Sequence, residues 1–216
     1  MSSSMWPVPF FIDPQHLAVD ALVSFGVAIL VAITINAEAQ AFMATILGDT
    51  RSGDSRRFNF NCLMHLSILG TICYLVAGFG WPRKVDIDPG KFKHPRFYTV
   101  LTRFTGPLAN LLLASIAGSI VMVMQAVSFD ARVFLMVVGV NVTTAFYNLI
   151  LLPPLAAGVL VQELIPPGLS TFRKIFGQAG PFLILALALL ERLRPEGLFG
   201  PYLNPIIMGV FNYIKG

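Results

Sequence analysis

Three polar side chains interrupt a long apolar run in the stretch from Ile35 to Asp49: Asn36, Glu38 and Gln40. Polar groups at membrane depth are expensive, and they face a protein interior or a water-filled cavity. Asn36 and Gln40 are four residues apart, so on a helix they share one face, and Glu38 points elsewhere. That geometry offers two side chains to one centre. Two histidines at this spacing, with a glutamate beside the first, would make a zinc protease site. Here the spacing is present and the ligand chemistry is different.

The elements that position these residues belong to a membrane. Of 216 residues, 56% are hydrophobic and only 12% charged, with a mean hydropathy of +0.74. Soluble domains carry about 25% charged residues. Several apolar runs approach or exceed the ~18–20 residues needed to cross ~30 Å of hydrocarbon. The composition therefore implies an all-α polytopic membrane protein with six hydrophobic segments, and it excludes a barrel, which would show ~10-residue alternating segments. Met1 to Pro7 lacks the basic region of a signal peptide, so the first segment is expected to remain in the mature chain. The net charge of +4 is modest, and its bases flank apolar runs, so no nucleic-acid surface is expected. Cys62 and Cys73 are not spaced as a CxxC pair and read as free thiols.

In chain order, residues 1–16 form a Pro- and aromatic-rich interfacial lead-in. The first span is expected from Leu17 to Leu47, ended by the turn residues Gly48-Asp49. Arg51 to Asn61 reads as a short strand or an irregular loop. A second span is expected from Cys62 to Gly80, leaving the membrane at an interfacial Trp81-Pro82. The loop from Arg83 to Tyr98 mixes bases with aromatics and suits the headgroup level, or a gate over a cavity. A third span runs from Val100 to Val127, with Pro107 early in it and Ala114 and Gly118 as a small-xxx-small pair. The fourth, Val133 to Leu160, holds Asn141, Thr143, Thr144 and Asn148 and is broken by Pro153-Pro154. Two further segments, Ala179 to Leu193 and Leu198 to Ile214, complete the chain. Residues 17–160 are thus expected as the core and 161–216 as additional membrane segments. Six crossings would put nine Lys and Arg on the N-terminal side and six on the other, which places both termini in the cytoplasm.

This order of features resembles the short, bacterial type of site-2 protease, a membrane-embedded zinc metalloprotease. The family pattern HExAHAxxAxxLGD is matched by Asn36-Ala37-Glu38-Ala39-Gln40-Ala41, then Ala44, Leu47, Gly48 and Asp49. A segment like LTLNPLAHIDPLGT is matched from Phe58 to Thr71, and a loop like FGWAKPVPVNP from Phe79 to Pro89. AGPLANLLLA is matched by Thr105 through Ala114, and NLLPxPPLDG by Asn148 through Ala157. The resemblance spans Ile35 to Gly158 and implies a polar cavity that admits an extended or unwound substrate segment.

In that family two histidines and a later aspartate hold zinc, and a glutamate activates water. The matching positions here are Asn36, Gln40, Ala156 and Ala37. Zinc takes Cys, His, Asp or Glu ligands, and Glu38 is turned ~100° from the general-base position. The resemblance therefore implies no catalytic residues, no metal and no cofactor. On this reading the chain is not an enzyme but a pseudoprotease, a scaffold or accessory subunit that binds other membrane proteins. Asn36, Glu38, Gln40, His65 and Asn148 would form its polar core. Two other readings compete: an active metalloprotease with non-standard ligands, and a transporter or channel lined by the first and fourth spans. The expected partners are membrane proteins, as subunits of a larger complex, and the lipid bilayer. The expected location is a bacterial inner membrane.

Overall fold

The computed structural model describes residues 19–50, 60–193 and 198–216, and every regular element among them is helical. Seven α-helices follow in order: α1 (Val19–Ile46), α2 (Ile68–Ala77), α3 (Pro95–Ala126), α4 (Arg132–Tyr147), α5 (Ala156–Leu164), α6 (Ser170–Leu193) and α7 (Gly200–Lys215). Three stretches are long and apolar enough to cross a membrane: Val19–Ile46, Pro95–Ala126 and Pro167–Glu191. The chain is a helical membrane protein. The lead-in at residues 1–16 and the strand or loop at 51–59 lie outside the described residues.

α1, α3 and α4 pack on one another and form the centre of the fold. The contact surfaces are built from small side chains: Ala28, Ala32, Ala37 and Ala44 on α1 are fully buried, as is Ala114 on α3. Small residues let helix backbones approach closely where lipid supplies no hydrophobic drive for association. Gly118, one turn beyond Ala114, lies against Ile214 of α7, where a Cβ would clash. α2 packs on α6, and α5 bridges α3 and α6.

Several expected boundaries move, each for a local reason. The second segment does not run as one helix from Cys62. A 3₁₀ turn at Cys62–His65 ends first, and α2 begins only after Ser67, whose hydroxyl accepts from Gly70 N at 3.2 Å. It stops at Gly78, which adopts the left-handed conformation (φ +76°) that glycine accepts without strain. Trp81 is not at an interface: it is buried, its backbone pressed against Gly70. α3 starts at Pro95 rather than Val100, so Pro95 takes the first helical turn and Pro107 sits mid-helix. The expected fourth span is two helices, α4 and α5, joined by the non-helical stretch 148–155. α6 begins nine residues before Ala179, at Ser170, after the prolines Pro166 and Pro167. Both cysteines are free, Cys73 buried and Cys62 half-buried.

The loop ahead of α3 is held to the end of α1. Asp49 is fully buried and accepts from Asp88 N at 2.9 Å, with Lys91 Nζ 3.8 Å from its other oxygen. Gly48 (φ +112°) makes the turn that brings Asp49 there. The Arg83–Tyr98 loop is thereby drawn over the helix ends, which sets the edge of the cavity described next.

Candidate functional site

α1 carries Asn36 and Gln40 one turn apart on its buried face, where they meet α3 and α4. Arg103 of α3 lies opposite, buried to 7% exposure, and donates from Nη1 to Gln40 Oε1 at 2.6 Å and from Nη2 to the Val85 carbonyl at 3.0 Å. A guanidinium can only donate, so Gln40 must turn its oxygen to it and its NH2 away. That NH2 donates to Asn36 Oδ1 at 2.7 Å, and Asn36 Nδ2 donates to Asn110 Oδ1 at 2.6 Å. Asn110 Nδ2 then donates to Asn141 Oδ1 (2.7 Å) and to the Ala32 carbonyl (3.0 Å), and Asn141 Nδ2 ends the chain on Val137 O at 2.8 Å. Five side chains from three helices thus form one directional series, its polarity set by the arginine at its head. Gly106 makes this possible, because a Cβ there would collide with the Asn36 amide.

A cavity of about 460 Å³ opens beside the head of the series. Asn36, Gln40, Arg103, Asn148 and Ala156 all line it, with Trp81 and Val85 from the loop, Val159 and Gln162 from α5, and Lys174 and Pro181 from α6. The positions that match the family's three zinc ligands therefore converge on one space. Asn148 reaches that space as a brace rather than a free donor: its Oδ1 accepts from Ala156 N at 3.2 Å and its Nδ2 donates to Thr144 O at 2.8 Å. It holds the 148–155 stretch in place, helped by Gly158 and Gly180, which lie against the backbone of Leu152 and Pro153.

The expected polar core separates into two groups. Asn36 and Gln40 belong to the series, and Asn148 borders the same cavity. Glu38 faces the other way and pairs with His65 of the 3₁₀ turn, Nε2 to Oε1 at 3.0 Å, with both side chains largely buried. Ala37 is fully buried and does not reach the cavity. Arg103, Asn110 and Asn141 complete the series without having been assigned to the core. The signal for Arg103 was available: an arginine inside an apolar helix is an intramembrane charge and should have a partner.

The residues at the matched positions do not fit a zinc ion. Asn36 Oδ1 and Gln40 Oε1 both already accept a hydrogen bond, Ala156 has no donor atom, and a guanidinium lies 2.6 Å from Gln40. Among the described residues no three His, Cys, Asp or Glu side chains gather to hold a metal. Asn and Gln are neutral oxygen donors, outside the set that zinc selects.

Over 151 residues the chain is 32% identical to "Putative zinc metalloprotease YwhC" of Bacillus subtilis (strain 168), an alignment covering 66% of this chain and 69% of that protein. No protein-family model and no solved structure matches it. The relationship corrects one expectation. A relative carrying a metalloprotease name points to a protease family, so the reading of the chain as a non-enzyme does not stand. Its error was to treat the loss of one ligand set as the loss of activity, which the side chains at Asn36, Gln40 and Ala156 do not establish.

Proposed function

The chain belongs to the site-2 protease-like family of membrane zinc metalloproteases, and on that premise we propose that its cavity captures an extended segment of another membrane protein. The observation that carries this reading is the cavity itself, about 460 Å³, lined by polar and apolar side chains together. Sites of ~300–1,000 Å³ with a few fixed polar groups among apolar side chains are the usual form of a binding pocket. Asn36, Gln40 and Arg103 are held by one another, so a guest meets a preformed wall and little ordering cost. The prolines Pro153, Pro154 and Pro181 offer no N–H, so donors to a guest's carbonyls come from side chains such as Arg103, Lys84 and Lys174.

Capture of this kind suits a subunit that holds other membrane proteins within a larger complex, and it is also the first step of any cleavage. The proposal extends to a bacterial plasma membrane with both termini in the cytoplasm. A photo-crosslinking amino acid at Val159, inside the cavity, is expected to label polypeptide, and one at the exposed Leu112 of α3 to label lipid. Labelling of lipid alone at both positions would refute capture. Shortened labelled partners would identify cleavage as the next step.

A further inference from the structure

The cavity has a charge that the family relationship does not explain. Arg83, Lys84, Arg103 and Lys174 all line it, and among the described residues no Asp or Glu does. Two carboxylates lie near enough to act on Lys84, Asp86 and Glu163, and the second is held by Arg173. Among the described residues five cations therefore stand against two anions around the cavity, a net positive charge. Arg103 is buried and Arg83, Lys84 and Lys174 are exposed, so the cations of the loop, α3 and α6 surround the mouth of the cavity and are not confined to one helix face.

Arg103 fixes the centre of this field. Gln40 and the Val85 carbonyl hold its guanidinium in one orientation, and further N–H donors remain on it. A planar, pre-oriented guanidinium suits a carboxylate, and low-dielectric walls strengthen the attraction. Lys84 and Lys174 lie at the exposed rim. Leu69, Trp81 and Val159 supply apolar surface for the rest of a side chain.

We infer that the cavity reads a carboxylate on the segment it captures, an Asp or Glu side chain bound by Arg103 with Lys84 and Lys174. This inference rests on the reading of the cavity as a polypeptide site. A polypeptide is favoured over a phospholipid because about 460 Å³ is room for a few residues and too little for a headgroup with two acyl chains.

The test uses the full chain in phosphatidylcholine nanodiscs. Eight-residue Leu/Ala peptides, acetylated and amidated, carry an uncharged fluorophore and either one central Glu or one central Gln. The Glu peptide is expected to bind about tenfold more tightly. Its advantage should largely vanish in the Lys84→Gln, Lys174→Gln double variant, whose changes at the exposed rim leave the buried series intact. Arg103→Gln should abolish the advantage too, but it disturbs the series, so the rim variant carries the test. Equal binding of both peptides would overturn the inference and leave capture standing. A Glu advantage untouched by the rim variant would place the carboxylate elsewhere and overturn it. Binding of neither peptide would refute capture itself. Loss of peptide binding in phosphatidylglycerol nanodiscs, with that lipid retained in native mass spectrometry, would assign the cations to a lipid headgroup and overturn it as well.

Discussion

Two polar groups leave the same two turns of α1 in opposite directions, and they are built on different chemistry. Asn36 and Gln40 enter a series of neutral amides headed by one cation, in which every internal donor and acceptor orientation follows from Arg103. Glu38 instead pairs a carboxylate with the imidazole of His65. The series ties α1 to α3 and α4, whereas the pair ties α1 to a short 3₁₀ turn. One helix has thus given up titratable groups on the face that meets the cavity and kept them on the face turned away. Where the family places metal ligands, this chain places a fixed positive charge and amides that hold it.

The comparison is broken most sharply at Asn110. Asn110→Ala would strand Asn36 Nδ2 and Asn141 Oδ1 together and remove the added bond to the Ala32 carbonyl, which keeps its place in the helix. A stability loss of about 2–3 kcal/mol is expected, since an unmet buried polar group costs ~1–3 kcal/mol and membrane references soften that figure. In a thermal scan in detergent this corresponds to a fall of about 5–10 °C. Glu38→Gln should cost less, below about 1 kcal/mol, because a glutamine oxygen can still accept from His65 Nε2. If the two losses were equal, the series would hold no special place in the fold.

These contrasts show what could be read before the structure. The bounds of α1 were legible because its apolar run ends in Gly48-Asp49, and the shared face of Asn36 and Gln40 followed from a spacing of four. By position Arg103 is one of the nine bases on the N-terminal side, because it lies near the expected start of the third span at Val100. The structure extends α3 back to Pro95 and turns Arg103 inward, so its charge belongs to the site. Pro107 misled in the same way: proline favours a first turn, but here Pro95 takes that place. Trp81 reads as an interface anchor by type, yet the glycine at Gly70 opens room for it inside. In each case tertiary contact decided between two local options, and one helix's sequence does not contain its neighbour. Glu38 and His65 illustrate the limit most plainly. Both were marked as polar, and only packing shows that they face each other and not Gln40.

A smaller effect would sharpen the picture of the cavity. Partial burial, with Arg103 second, holds the Lys84 ammonium below the usual lysine range; Asp86 and Glu163 oppose the shift, and Arg173 adds to it. A lowered lysine pKa means the positive charge is lost earlier as pH rises. Affinity for a Glu-bearing peptide should therefore decline on the alkaline side before ordinary lysines titrate, by about threefold or less. Lys84→Arg should flatten that decline, because arginine keeps its charge.

Asn36, Gln40 and Ala156 converge on a site whose positive charge is Arg103 and not a metal. Elemental analysis of the protein, purified without chelators and then equilibrated with zinc and desalted, tests it most directly. Far less than one zinc per chain is expected, with the same content in Gln40→Ala. One zinc per chain that Gln40→Ala removes would contradict it.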